Sequence, residues 1–319
     1  MFKQSLIWYN RYVQKRKKGL DLTIKDRSWS NVLLGLIFKT VVLCFFGLMV
    51  IFPFYLMLVV ALTSDEVVLN IREPILKSDG WHFENFRRVL EDGKYLNAIW
   101  INSLVTILSI ILRLFFTVSM GYAFSLKKWK LKKLFWFIFL AVLILPESAL
   151  LIGQYRVVVV ANWNQPEKPA IILGLTMPFV ASVFSGFMFR TAFEAIPPRI
   201  KESAFVDGCT GLRYFLKIAF PMVRSTTWTV SILTAFAAWN SYLWPLLLLT
   251  NRPDLNINLW VLAQGTDGNA GQSDEQIRVL LNLKMAAAIL AILPMFIVYF
   301  LFRKRIMKAV GSRANTIKG

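Results

Sequence analysis

The sequence predicts an all-α membrane protein with six transmembrane helices and both termini cytoplasmic. Three observations predict it. Of the 319 residues, 56% are hydrophobic and the mean hydropathy is +0.55, above the roughly 45–50% apolar content of soluble domains. Six apolar runs are near the length of about 20 residues needed to cross the hydrocarbon core. Lysine and arginine are distributed unequally between alternate connecting segments, as the positive-inside rule requires.

The runs, in chain order, cover about Val32–Leu62, Leu96–Leu126, Leu134–Ile152, Ala170–Phe189, Thr226–Leu249 and Leu281–Phe302. All but the second contain a proline: Pro53, Pro146, Pro178, Pro245 and Pro294. A proline inside a span removes one backbone donor and frees a carbonyl, which neighbouring helices can satisfy. Such spans bend within a bundle, so straight lipid-facing anchors are not expected.

With the N-terminus inside, the cytoplasmic segments and the entry of the first span hold 26 basic residues and the outer segments 10, with Arg113 left inside the second span. Acidic residues gather outside, among them Asp65, Glu66, Glu84, Glu91 and Asp92. The net charge of +19 is thus a topology signal, and no nucleic-acid partner is needed to explain it. The organisation that follows is a basic cytoplasmic extension over 1–31, a membrane domain over 32–303 and a short cytoplasmic tail over 304–319. The first apolar run is too long for a signal-peptide core and is expected to stay as an anchor. In the outer loop Thr63–Tyr95, WHFENFRRVL reads as a short amphipathic helix on the interface. The outer loop Asn251–Asn282 carries the turn-rich GTDGNAGQSDEQ.

The sequence argues against enzyme chemistry. There is no phosphate-binding G-x-x-x-x-G-K-[ST]; Gly93-Lys94 is followed by Tyr95. His82 is the only histidine, and Cys44 and Cys209 lie far apart. No catalytic residue, metal ligand set or cofactor is therefore expected.

Two polar features stand out. In the second run Asn102, Thr106, Ser109, Arg113 and Thr117 are spaced four, three, four and four, which is one helix face. An arginine at membrane depth costs about 2.5–3.5 kcal/mol and must face a partner or a wet cavity. One reading is a translocation pathway. The other is structural, with the hydroxyls on backbone carbonyls and Arg113 paired with a partner subunit. In the fifth run, Trp239, Tyr242 and Trp244 read as an aromatic belt or as sugar-stacking faces, the belt above all for Trp244; Trp239 and Asn240 lie deeper and could line a pathway.

The second feature is the basic, polar stretch 196–222, IPPRIKESAFVDGCTGLRYFLKIAFPM. Pro197-Pro198 can open a helix running to Val206, Gly208 and Gly211 break it, and Leu212–Phe220 forms a second short helix ended by Pro221. Small residues Ser203, Ala204 and Gly208 leave a face open to close approach, and Glu202 and Asp207 supply acceptors. We read this loop as a docking surface for a separate energy-supplying subunit; the plain alternative is an interfacial linker.

The segment E-S-A-x-x-D-G, followed by Ile218 and Pro221, closely resembles the cytoplasmic EAA loop of binding-protein-dependent ABC importer permeases. Glu202, Ala204, Asp207, Gly208, Ile218 and Pro221 fit that pattern. Ser203 and Cys209 replace its small residues. ENFRRVL, Asn102-Ser103, Tyr122-Ala123-Phe124, IPPRIKESA and WNSYLWPL look like the carbohydrate-uptake branch, which handles maltose and glycerol-3-phosphate. The resemblance covers roughly 30–310, and the basic N-terminal extension is longer than that branch leads one to expect. It implies a second homologous permease subunit, two cytoplasmic ATP-binding subunits, an extracellular substrate-binding protein or lipoprotein, and a place among the lipids of a bacterial cell membrane. Residues 202–208 would be its ATPase-coupling helix. The rivals are an ion-gradient-driven secondary transporter, which should show internal repeats and intramembrane carboxylates, and a membrane scaffold subunit.

Overall fold

A computed structural model describes residues 29–315 except 71–72, 127–128, 168, 250–251 and 267–278; the side chains of 29–32, 147–148 and 305–315 are also outside the described residues. Nearly all of the basic N-terminal extension, most of the Gly/Asp/Asn-rich turn and most side chains of the basic tail therefore fall outside them.

The regular secondary structure of the described residues is helical, apart from one isolated bridge between Thr266 and Val279. In order the helices are α1 (Trp29–Ala61), α2 (Asp65–Leu69), α3 (Glu84–Leu90), α4 (Lys94–Ser125), α5 (Lys132–Val142), α6 (Glu147–Val160), α7 (Ile171–Val180), α8 (Val183–Glu194), α9 (Pro198–Val206), α10 (Gly211–Tyr214), α11 (Phe220–Met222), α12 (Arg224–Trp239), α13 (Leu243–Leu248), α14 (Ile257–Ala263) and α15 (Leu281–Asn315). A π-helical turn (Phe215–Ala219) joins α10 to α11, and a 3₁₀ turn (Pro253–Leu255) precedes α14.

Packing divides the chain into residues 1–56 and 57–319. In the first unit, the described part of α1 is a single apolar helix with no buried side chain. In the second, α4 is the central helix, packed along α7, α8 and α12. Two glycines let it approach α8. A Cβ at Gly121 would meet the Phe189 side chain and come within 2.8 Å of the Arg190 backbone nitrogen, and one at Gly186 would come within 2.6 Å of the Met120 sulfur. Small residues at helix crossings supply the close packing that drives association in lipid.

Three helices, covering 33–61, 94–125 and 281–304, are long and apolar enough to cross a membrane, and α7 with α8 makes a fourth if that bent pair is one span. The first, second and sixth expected runs are thus single helices. The third is divided around Pro146, the N-cap of α6. The fourth bends by 52° between α7 and α8, four residues after Pro178. There Ser182 adopts extended backbone, and its hydroxyl accepts the Ser185 N–H at 3.2 Å, starting α8 afresh. The fifth is divided at 240–242.

The described parts of 63–95 and 252–282 are more ordered than their composition implies. The expected interfacial helix is α3, but it is tied into the protein. Its buried Asn85 donates to the Ala61 and Thr63 carbonyls at 3.0 Å each, and α3 packs on α15. Trp81 and Phe83 just before it stay exposed and stacked, with ring centroids 5.9 Å apart. Helix α14 arises where a loop was expected, because Asn256 caps it by accepting the Asn258 and Leu259 N–H groups. Trp244 does not form a belt. It is 2% exposed and donates its indole N–H to the Gly174 carbonyl at 3.0 Å.

Candidate functional site

The loop 196–222 is built by its prolines and glycines. Pro198 is the first residue of α9, where a missing N–H costs nothing. At the other end Gly208 has φ +70°, the Cys209 N–H donates to the Ala204 carbonyl at 2.8 Å, and the Gly208 N–H to the Phe205 carbonyl at 3.1 Å. This pair of bonds is a Schellman cap, which requires a left-handed residue at that position. The D-G of the motif is therefore a helix stop. Gly211, at φ +57°, opens the next helix. The π-helical turn follows, with the Phe220 N–H reaching back five residues to the Phe215 carbonyl. Pro221 lies within the short helix α11, two residues beyond the turn, so it does not end the second helix as expected; the chain turns at Val223.

Of the five predicted docking residues, Ala204 is buried, and Glu202, Ser203, Asp207 and Gly208 are exposed. Ala204 shares a core cluster with Val118, Phe189, Tyr214 and Val230, which fixes α9 to α4, α8 and α12. The outward side carries apolar groups a solvated linker would not need: Val206 is 88% exposed, Leu212 71% and Leu216 55%. Exposed apolar side chains gathered on one polar-rimmed segment mark an interaction surface.

The second predicted site is the face of α4. Asn102, Thr106, Ser109 and Thr117 are buried against the bundle, and Arg113 is half-buried. Thr106 and Thr117 donate to the carbonyls four residues earlier, Asn102 and Arg113. Arg113 Nε donates to the Phe179 carbonyl, in the last turn of α7, where the bend leaves carbonyls without helical partners. Its partner is in this chain. Ser109 is different: its hydroxyl is the only buried side-chain polar atom among the described residues without a hydrogen bond.

Sequence reasoning missed the asparagines at the start of α14. Asn256 Nδ2 donates to Asn102 Oδ1 at 2.8 Å, and Asn102 Nδ2 to the Trp239 carbonyl at 3.4 Å. Asn258 Nδ2 donates to the Trp239 and Ser241 carbonyls at 2.9 and 3.0 Å. These amides satisfy the backbone that the break at 240–242 leaves open. The local signal was N-x-N-L-W, an asparagine two residues before another at the start of an apolar run. Trp239 and Asn240, the remaining predicted pathway residues, line a cavity of about 270 Å³ with Phe236, Asn258, Met295 and Tyr299.

Residues 98–312 match the family described as the binding-protein-dependent transport system inner membrane component. The chain belongs to that family. It is therefore a permease component and a multi-pass protein of the bacterial plasma membrane. It is 69% identical over 319 residues, the whole of both chains, to a probable ABC transporter permease protein of Mycoplasma genitalium. It is 28% identical over 295 residues to the sn-glycerol-3-phosphate transport system permease protein UgpE of Shigella flexneri, covering 90% of this chain and 98% of that one. Among solved structures, a bacterial ABC transporter involved in the import of the acidic polysaccharide alginate matches with a TM-score of 0.70 at 21% identity, over 88% of this chain and 99% of that one; this likeness concerns the fold. The family match spans α4 to α15 and so includes the capped loop, the polar face and the asparagine lock. The permease has no group of three or more His, Cys, Asp or Glu side chains arranged to hold a metal among its described residues.

Proposed function

We propose that this chain is the non-catalytic transmembrane subunit of an ATP-driven, binding-protein-dependent importer of a sugar, oligosaccharide or glycerol phosphate, and that the loop 196–222 couples it to a separate ATPase. The observation carrying this reading is the exposed apolar surface of Val206 on α9 and of Leu212 and Leu216 just after it, beside Glu202, Ser203, Asp207 and Gly208, with α9 fastened to the bundle core at Ala204. Such a helix transmits a push as a rigid part. Its partners on this reading are a second homologous permease subunit, two cytoplasmic ATP-binding subunits and an extracellular substrate-binding protein. The substrate class is supported by the name of the sn-glycerol-3-phosphate relative.

The same reading has six crossings, with α5–α6, α7–α8 and α12–α13 as broken spans, both termini in the cytoplasm, a membrane domain over 32–303, and the flanking 1–31 and 304–319 outside it. Broken spans suit a transporter, because irregular backbone at membrane depth is tolerated where it is buried in protein or lines a cavity. On this reading Asn102, Thr106, Ser109 and Arg113, with Trp239 and Asn240, border the substrate path. The orphaned Ser109 hydroxyl favours it, since water or a substrate hydroxyl entering another state would complete its bonding.

The test is reconstitution with ATPase, partner permease and binding protein. Glu202→Ala is expected to lower uptake and ATPase recruitment together, while leaving the thermal midpoint of the permease within the small range typical of exposed positions. Unchanged uptake and recruitment would remove the coupling role. A cysteine at Ser109 should react with a water-soluble thiol reagent in at least one nucleotide state; no reaction in any state would remove Ser109 from the path.

A further inference from the structure

One cavity borders the docking surface, sharing Glu202 with it, and its other lining residues belong to neither the docking set nor the polar face. It has a volume of about 450 Å³ and lies where the end of α4, the start of α5, the end of α8 and the inner side of the 196–222 loop meet. Tyr214 opens into it. The residue is 4% exposed and its ring packs edge-on to Phe205, yet its hydroxyl makes no hydrogen bond within the described protein. The oxygen itself is not enclosed by protein: it is open to the cavity and free to bond to what enters it. Tyr122, whose ring packs on Phe193 and Phe215, lines the same space and also lacks a hydroxyl partner in the described protein.

Two ammonium groups join these hydroxyls. Lys132 Nζ spends one donor on the Leu126 carbonyl at 2.6 Å and keeps two. Lys201 Nζ sits over the Phe205 ring, 5.6 Å from its centroid. Two carboxylates are present as well. Glu194 is occupied by Arg190 at 2.9 Å, which leaves Glu202 as the acceptor at this cavity.

We infer that this cavity is a binding site for a phosphate ester whose other end carries hydrogen-bond donors. Four residues with donor groups, from four separate segments, line it, which suits a phosphate with three or four acceptor oxygens better than a carboxylate with two. The volume lies within the range of small-ligand sites, about 300–1,000 Å³, and is far larger than a bare ion needs. Glu202 requires a donor on the ligand, such as a glycerol hydroxyl. Because the ligand would touch α4, α8 and the inner side of the proposed coupling helix at once, occupancy would hold that helix against the bundle and slow transport. This regulatory consequence, and the cytoplasmic location, rest on the reading under Proposed function; the binding itself does not.

Two sources share this chemistry, an inner-leaflet phospholipid headgroup and a free phosphorylated metabolite. The experiment uses the purified full-length permease without ATPase, so its failure would leave the importer reading standing. Native mass spectrometry would count phosphatidylglycerol against phosphatidylcholine retained per chain, and equilibrium dialysis would measure sn-glycerol-3-phosphate. Tyr214→Phe combined with Lys132→Gln should weaken binding on the order of tenfold or more, since one neutral and one charge-assisted hydrogen bond are lost. If the double variant does not fold, Lys132→Gln alone, at a partly exposed side chain, should weaken it severalfold. Loss of retained phosphatidylglycerol would support the headgroup, and loss of sn-glycerol-3-phosphate binding would support the free ester. No binding of either, or equal binding by wild type and variants, would overturn the site.

Discussion

The two ends of α12 are interrupted by different means. Before its first turn, the 196–222 loop is held by backbone devices: Pro198 at a helix start, Gly208 in a Schellman cap, and a π-helical turn before Pro221. It leaves Val206 and Leu212 exposed. After its last turn, the break at 240–242 is held by side chains, with Asn258 and Asn102 satisfying the Trp239 and Ser241 carbonyls and Asn256 closing the set. A cap made of backbone needs little from its surroundings and can present its other faces to a partner. A lock made of amides from remote segments holds only while those segments stay packed. The first arrangement suits a docking surface, and the second a joint whose opening would require coordinated movement.

The largest expected effect breaks the lock. Asn258→Ala strands the Ser241 carbonyl and leaves the Trp239 carbonyl with only the longer bond from Asn102, and should cost about 2–3 kcal/mol, as loss of partners for polar groups inside a fold does. Thermal unfolding in detergent would read this as a clearly lowered midpoint. Next, Gly208→Val forces a β-branched residue into left-handed backbone at a cost of about 1–2 kcal/mol. Because nothing lies within 4 Å of a Cβ there, the damage should stay in the cap. Uptake in the reconstituted importer should fall by far more than the stability loss would explain. A permease as unstable as the Asn258 variant would contradict this local account.

The smallest effect is that of pH on the segments around Asp65 and Asp254. Asp65 is held below the ordinary carboxylate range by Arg88, with Asn282 adding to it, and Asp254 by Arg252, with Asn97 adding to it. A carboxylate lowered on folding contributes stability that is fully present above its unfolded pKa, about 3.9 for aspartate, and lost as pH falls through the lower native value. The midpoint should therefore be flat with respect to these groups from pH 5 to 7 and decline only below about pH 4. Asp254→Asn should reduce that decline.

Much of the fold is legible from hydropathy, because a membrane span declares itself by length and composition. The runs that became α1, α4 and α15 illustrate it. Where helices break is less legible. Pro178 signals a bend, but the break falls at 181–182, where Ser182 starts a new cap. The lock at 240–242 depends on residues 17 and more positions away, beyond the reach of any local pattern. Trp244 shows the same limit. An aromatic near a span end fits a belt by sequence, and only the Gly174 carbonyl facing it explains its burial. On the loop, the residue types pointed to a helix and a stop; which side chains face outward is set by Ala204 joining the core.

The central claim is that force from a separate ATPase enters through the exposed side of α9, and Val206→Asp tests it most directly. Val206 is 88% exposed, so the change should move stability by no more than about 0.5 kcal/mol. A buried, unpaired carboxylate would be costly in a docked interface. The predicted result, measured as co-purification of the ATPase with the permease and as ATP-driven uptake, is loss of both with an unchanged thermal midpoint. Full ATPase recruitment and full uptake by a correctly folded Val206→Asp permease would contradict the account.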